Sequence, residues 1–197
     1  MSYHLTPLGV SVLALLRERA MHGYEMFQIL LARREDRIVK VRPGSLYHVV
    51  YRLAQERLIR PTTTGRDGNR PERTIFEITD AGLTALTDSV RELVATPVNE
   101  FPRFVAALAE IHHLDRETAL AAVRSRIGAL EADVAEMAAQ AASTAPAIQL
   151  TALDYLLATT RAKLDWLRQF ADSLESDTVE WRHAHGAAWT ETSGVSV

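Results

Sequence analysis

The chain has 197 residues, of which 47% are hydrophobic and 24% are charged, so it can build one packed domain or two small ones. It contains no cysteine, which excludes a disulfide scaffold, a zinc ribbon and a thiol nucleophile. The longest apolar run, residues 104–109, is far shorter than a membrane span of roughly 20 residues, and residues 1–4 show no secretory signal. We therefore expect a cytoplasmic protein without a membrane partner.

Charge is unevenly distributed along the sequence. Residues 1–96 contain 14 basic and 11 acidic residues, whereas residues 97–197 contain 8 basic and 14 acidic residues. Residues 33–73 alone hold 11 basic against 5 acidic residues. One basic segment in a near-neutral chain indicates local contact with a polyanion, and a solvated arginine-rich surface is the competing interpretation.

Hydrophobic periodicity predicts three short helices at the start of the chain. The first begins near Pro7, the second spans residues 24–34, and the third begins at Pro43 and runs to about residue 57. The third helix carries Ser45, His48 and Arg52 on one side. Its opposite, apolar side consists of Leu46, Val49, Val50 and Leu53.

The periodicity then changes from helical to alternating. Residues 58–60 and 73–79 read as two short strands around a charged, glycine-containing loop at 64–71, which predicts a β-hairpin. Thr79 and Asp80 then begin a fourth helix. Three helices, a hairpin and a helix form a winged helix-turn-helix, whose third helix enters the DNA major groove while the hairpin contacts the flanking backbone.

The second half of the chain reads as all helical. A short apolar helix is predicted at residues 101–114, followed by two long helices at 116–142 and from about 150 to 174. Apolar residues in both long helices recur at alternating spacings of three and four, which predicts an antiparallel hairpin with surplus apolar surface. We expect a second subunit to cover that surface, and packing on the winged domain is the alternative. The predicted dimer interface is Leu120, Val123, Ile127, Leu130, Leu157, Leu164 and Leu167.

The predicted fold is therefore mainly α, with three parts. Residues 1–96 form the winged helix-turn-helix with its α/β wing, residues 97–175 form the all-α antiparallel helical hairpin, and residues 176–197 form a polar tail. Hydroxyl and arginine side chains on the third helix suit base edges and phosphates, and arginines on the wing suit phosphates. The DNA contacts predicted on these two elements are Ser45, Tyr47, His48, Arg52, Arg66, Arg70 and Arg73.

Three motifs in the winged region point to a family. Residues 22–25 read His-Gly-Tyr-Glu, residues 43–47 read Pro-Gly-Ser-Leu-Tyr, and residues 76–82 read Phe-Glu-Ile-Thr-Asp-Ala-Gly. In these motifs the segment 13–82 resembles the PadR family of bacterial transcriptional regulators. The resemblance implies a homodimeric repressor that leaves its DNA when a small effector binds, and a dimer implies a pseudo-palindromic operator.

The resemblance also assigns individual positions. It implies that Ser45 and Tyr47 lie at the DNA and that Tyr24 reaches a phosphate. Two positions depart from the family pattern. Arg42 replaces the usual Ser or Thr helix cap and suits a phosphate instead. His48 stands where proline is frequent, and this difference concerns which bases the helix prefers, not how the helix docks on DNA.

A second hypothesis assigns the winged domain to protein binding, because the same order of elements occurs in protein-interaction domains. The chain would then be a dimeric effector-sensing or protein-interaction module. For a small aromatic effector, the candidate residues are aromatic side chains of the second half, for which ordinary core packing is the competing interpretation. They are Phe101, Phe104, Tyr155 and Trp166.

Metal and catalytic sites are not expected. His112 and His113 are adjacent and do not share a helix face, no carboxylate stands at ligand spacing beside both, and His183 and His185 form only a weak pair. The loop near Gly65 is not followed by a helix and lacks a P-loop lysine, and no nucleophile-elbow or zinc-protease motif occurs. We therefore predict neither a metal, a cofactor nor an enzyme.

Overall fold

The computed structural model describes residues 4–65, 73–142, 147–176, 178–179 and 181. The chain divides into two compact units, Met1–Asn99 and Glu100–Val197. The architecture is mainly helical, with a small antiparallel sheet in the first unit and a helical hairpin in the second, which confirms the predicted fold class. No helix in the described ranges combines the length and the apolar character that a bilayer crossing needs.

Within residues 4–65 and 73–99 the first unit contains four helices and three strands, which add a short strand and a 3-10 turn to the order expected for a winged helix. A short 3-10 turn, Glu35–Arg37, lies between the second and third helices. The elements are α1 (Pro7–Glu18), β1 (Met21–His22), α2 (Gly23–Ala32), α3 (Pro43–Gln55), β2 (Ile59–Gly65), β3 (Arg73–Ile78) and α4 (Asp80–Ala95).

The wing sheet has three strands instead of the two that the sequence predicts. Its strand order is β1-β3-β2, and Met21 pairs with Phe76 while Ile59 pairs with Ile78. β1 has only two residues, so it shows no alternation that a period-2 pattern could detect. Because β1 leads directly into α2, the sheet fixes where α2 begins.

Side-chain caps begin three of the four helices described in the first unit. Thr6 Oγ1 accepts a hydrogen bond from the Gly9 N–H at 3.1 Å, His22 Nδ1 accepts from the Glu25 N–H at 3.0 Å, and Thr79 Oγ1 accepts from the Gly82 N–H at 3.1 Å. Each cap satisfies one of the N–H groups that a helix start leaves unpaired. The cap by His22 is one that sequence reasoning missed.

The core of the first unit collects the apolar faces of α1, α2 and α3. Leu46, Val50 and Leu53 of α3 are buried as predicted, and Val49 is half-buried. This core anchors α3 by one face and leaves its other face to solvent. The remaining buried apolar residues include Val12, Leu13, Leu15, Leu16, Met21, Met26, Leu30 and Ile59.

The second unit begins with two short pieces where the sequence predicts a single helix at 101–114. These are α5 (Arg103–Ala109) and a 3-10 turn, Ile111–His113. The prediction of a single helix is wrong because Phe101 adopts a left-handed φ of 47°, so the helix cannot begin there, and because α5 ends at Ala109.

Two long helices, α6 (Arg116–Ala141) and α7 (Ala147–Glu175), then pack against each other as a hairpin. Two ion pairs follow the antiparallel register. Arg124 in the first half of α6 meets Glu175 at the end of α7, and Glu131 meets Arg168 about two turns further along. The beginning of the predicted tail packs on the same unit. The Trp181 indole N–H donates to the Leu114 carbonyl at 3.0 Å.

Candidate nucleic-acid interface

One face of α3 is polar and open to solvent. Ser45, His48 and Arg52 are spaced three and four residues apart, which places them on one side of the helix, and all three are exposed. Arg42 precedes them and is also exposed. The structure therefore presents hydroxyl, imidazole and guanidinium donors together on the helix that a winged domain inserts into DNA.

The start of α3 differs from the other helix starts of this unit. Its N-cap residue, Arg42, makes no side-chain capping hydrogen bond within the described part of the chain, whereas Thr6, His22 and Thr79 cap the other three helices. The N–H groups of its first turn therefore lack a side-chain acceptor and suit an anion, which the helix dipole also favours. A phosphate is the anion that DNA offers at this position.

Arg52 is already held by a carboxylate. Its Nη2 lies 3.0 Å from Glu56 Oε1, one helical turn further along α3. The Arg52 and Glu56 side chains remain 50% and 34% exposed to solvent, so the pair contributes little to stability, about 1 kcal/mol or less. Contact between Arg52 and a base requires the guanidinium to exchange Glu56 for the new acceptor.

Tyr47 lies against the start of α2. A Cβ placed on Gly23 would lie 2.9 Å from Tyr47 Cε1, closer than carbon atoms approach each other. The ring can therefore occupy this position only because residue 23 is glycine. Tyr24, the next residue, is exposed, so two tyrosines border the polar face of α3.

A cavity of about 560 Å³ opens beside α3. This volume is within the range of small-molecule sites. Sequence reasoning missed the cavity because its walls come from three separated segments. They are His22, Gly23, Tyr24, Tyr47, Val50, Tyr51, Ala54, Thr74 and Phe76.

The predicted wing contacts are only partly visible. Arg66 and Arg70 lie outside the described residues, and Arg73 begins β3 opposite Gly65. Arg60 on β2 forms an ion pair with Glu77 on β3. The wing strands are therefore in place, while DNA contact by the wing arginines stays a prediction.

The four predicted effector residues occupy different environments. The Arg126 guanidinium lies 3.7 Å from the centre of the Phe104 ring, and Trp166 stacks on Phe170 with 5.2 Å between ring centres. Tyr155 and Phe101 are exposed. Tyr155 and Trp166 stand eleven residues apart on α7, about 16 Å along its axis, so one chain does not bring them around one small ligand.

The seven predicted interface residues lie inside the hairpin. Val123, Leu157, Leu164 and Leu167 are buried within a single chain, with Leu167 only 1% exposed. Leu120, Ile127 and Leu130 are half-buried and pack on the same apolar cluster. Within one chain α6 and α7 already cover most of the surface of these positions, and contact with a second subunit stays a prediction. Among the described side chains of α7, the large apolar ones that are exposed are Tyr155 and Trp166.

A carboxylate does accompany the adjacent histidines, contrary to the sequence expectation. The 3-10 turn brings one ligand atom each from Glu110, His112 and His113 within 4.8 Å of one another, and His113 Nε2 lies 3.3 Å from Glu110 Oε2. The expectation assumed an α-helix, in which adjacent side chains diverge. His183 and His185 lie outside the described residues.

Comparison with known proteins agrees with this geometry. Residues 12–88 match the transcriptional regulator PadR-like family, while no curated protein matches the chain. The chain is similar in structure to Bacillus subtilis PadR in complex with operator DNA (TM-score 0.71, 19% identity, covering 86% of this chain and 99% of that one). It is similar to Bacillus subtilis PadR in complex with p-coumaric acid (TM-score 0.70, 17% identity, covering 85% and 98%). It is also similar to the Vibrio cholerae virulence activator AphA (TM-score 0.65, 18% identity, covering 86% and 99%). At these identities the structural likenesses establish the fold alone.

Proposed function

We propose that the chain is a transcriptional regulator of the PadR-like family rather than an enzyme, and that it is a dimeric repressor that binds an operator through α3. The match of residues 12–88 to the model of that regulator family supports this proposal. The observation that carries the proposal is the exposed polar face of α3 beside an uncapped helix start. Such a face can place Ser45 and Arg52 at base edges while first-turn N–H groups bind a phosphate.

Several features support DNA as the partner of this face. The segment 33–73 carries a net positive charge in a chain of net charge −3, so the attraction to a polyanion is local. One structural relative is described as bound to operator DNA. The competing hypothesis, a protein partner, explains neither the arginines nor the open helix start.

We propose that the protein represses transcription rather than activating it. One structural relative is described as a virulence activator, so this fold is also compatible with activation. Repression follows most simply if the protein covers its operator and leaves when a small effector binds. A relative described in complex with p-coumaric acid supports an aromatic effector.

We also propose that the chain acts as a homodimer. Tyr155 and Trp166 are exposed on α7, and large exposed aromatic side chains in register on a long helix suit a second copy. A two-fold dimer requires a pseudo-palindromic operator with half-sites one or two helical turns apart, roughly 34 Å per turn.

Selection of bound duplexes from a random DNA library tests this function. We expect an inverted repeat with the half-site spacing above, and a mobility shift on that sequence that a scrambled duplex does not compete away. Binding that never distinguishes one sequence from another would contradict the proposal, and no binding at low salt would favour the protein-binding hypothesis.

A further inference from the structure

We propose that the cavity beside α3 binds a neutral, planar aromatic molecule, and that such a ligand competes directly with DNA. The second half of this proposal depends on the DNA-binding function proposed above, whereas the first half does not. The cavity lies wholly within the first unit, at the helix expected to read DNA.

The walls of the cavity favour a flat ring. Tyr24 comes from α2, Tyr47 and Tyr51 come from α3, and Phe76 comes from β3, so aromatic side chains converge from three elements. Aromatic walls stabilise a planar aromatic guest through offset stacking and edge-to-face contacts in addition to the apolar area that becomes buried. A volume of about 560 Å³ accommodates a ligand of two or three fused rings.

The lining also selects against charge. No Asp, Glu, Lys or Arg is among the described residues that line the cavity. His22 is the only basic group there, and its Nδ1 accepts the Glu25 N–H, which requires an unprotonated nitrogen at that position. A carboxylate ligand would therefore lose its hydration without gaining a cationic partner.

Polar anchors are nevertheless present. The Tyr51 hydroxyl accepts from Gln55 Nε2 at 3.0 Å and keeps its own proton to donate. The hydroxyls of Tyr24 and Tyr47 make no hydrogen bond within the described part of the chain, and both side chains are about half exposed. A ligand hydroxyl or ring N–H can pair with them, so phenols and indoles fit better than hydrocarbons.

Competition with DNA follows from the position of Tyr47. This ring is supported from behind by Gly23 and stands next to Ser45 and His48 on α3. A ligand that engages Tyr24 and Tyr47 removes these hydroxyls from a phosphate and fills the space beside the helix. Ligand and DNA therefore exclude each other at one site, without any change in the second unit.

Two probes with the same ring system test the ligand class, namely 2-naphthol and 2-naphthoate. Each is titrated by calorimetry into the full chain without DNA. We expect 2-naphthol to bind one site per chain and 2-naphthoate to bind at least tenfold more weakly. Equal affinity for the two probes would overturn the preference for a neutral ligand.

The location is tested with Tyr51→Ala, because Tyr51 is 63% exposed and its ring forms a wall without filling the core. We expect this variant to keep the wild-type melting temperature and to lose about tenfold in affinity for 2-naphthol. Trp166→Ala tests the alternative location in the second unit. Loss of binding in Trp166→Ala with full binding in Tyr51→Ala would overturn the proposal.

Competition is measured by fluorescence anisotropy of a labelled duplex at low salt. The apparent Kd for DNA should rise in proportion to 2-naphthol concentration in the wild type and much less in Tyr51→Ala. Naphthol binding that leaves the DNA affinity unchanged would overturn direct competition. If the wild type binds no DNA, the proposed function fails. The calorimetric titrations then still decide whether the cavity binds a neutral aromatic ligand.

Discussion

The ring of Tyr47 rests on the backbone of Gly23, with 2.9 Å between Cε1 and the position a Cβ would take. This contact joins two motifs that stand some twenty residues apart in the sequence, at residues 22–25 and 43–47. The first motif thereby sets the orientation of a side chain on the proposed DNA-reading helix. Gly23 therefore begins α2 and also makes room for a side chain of α3.

Replacing Gly23 with alanine should therefore weaken DNA binding without unfolding the chain. The added methyl displaces the edge of a half-exposed ring rather than backbone, so the fold can adjust. We expect an affinity loss of up to roughly tenfold, the value of about one hydrogen bond. Anisotropy titrations and thermal melts measure both quantities. Gly128→Ala, where a Cβ meets nothing within 4 Å, is the control, and equal DNA affinity in the two variants would refute the role of this contact.

Gly82 should tolerate alanine far less well. A Cβ there would lie 2.1 Å from the Leu58 carbonyl oxygen, which also accepts hydrogen bonds from the N–H and the hydroxyl of Thr79. Because the clashing atom belongs to the backbone, the clash is removed only if Leu58, just before β2, and the start of α4 move apart. We expect Gly82→Ala to lower the free energy of unfolding by about 1–3 kcal/mol or more.

Chemical denaturation of the Gly82 variant is compared with Gly44→Ala. Gly44 has no neighbour within 4 Å, and alanine gains up to about 1 kcal/mol of helix propensity there. A Gly82→Ala protein as stable as Gly44→Ala would show that the close approach to Leu58 is relaxed in solution.

Two adjacent residues of α7 should separate folding from assembly. Leu167 is 1% exposed and Trp166 is 46% exposed. Leu167→Ala should cost about 2–5 kcal/mol of stability by opening a cavity in the hairpin. Trp166→Ala should cost much less stability and weaken the proposed dimer, as measured by sedimentation velocity at several concentrations. An unchanged dimer in Trp166→Ala would place the subunit interface elsewhere.

Glu35 should lower the stability of the protein as pH rises, whereas most carboxylates lower it as pH falls. Burial raises its pKa, while the Ser11 hydroxyl and Arg33 act to lower it and Glu18 acts to raise it. A raised folded pKa means that the ionised form opposes folding above that pKa. Glu35→Gln should therefore stabilise the protein at pH 7. The gain should shrink as pH falls through the raised folded-state pKa and should be absent below about 4.3, where the wild-type carboxyl is protonated in both states. Equal stability of the two proteins at pH 7 would show that Glu35 is solvated.

The sequence predicts the winged region well where its patterns are long. The apolar face of α3, with Leu46 and Leu53, follows from helical spacing alone, and burial confirms it. β1 escapes prediction because a two-residue strand has no period, and the ring cavity escapes because Phe76 and Tyr24 meet only through sheet pairing. Tertiary pairing of this kind leaves no local signal.

In the second unit, the apolar patterns are long, but they do not determine what packs against them. The seams through Val123 and Leu164 are correctly identified as apolar, but a pattern of spacings cannot say which surface covers them. The structure covers them within the hairpin. The contact between His113 and Glu110 is not predicted either, because the sequence does not reveal that residues 111–113 form a 3-10 turn instead of an α-helix.

The DNA-reading role of α3 is tested most directly by replacing Ser45, Tyr47 and Arg52 together with alanine. Anisotropy titrations compare the selected operator and a scrambled duplex across a salt series, with Arg91→Ala, an exposed arginine of α4, as control. We expect operator affinity to fall by at least the 1–3 kcal/mol of one lost base contact, with a much smaller loss on the scrambled duplex and none in the control. Unchanged operator affinity in the triple variant would contradict the account, because α3 would then not be the element that reads DNA.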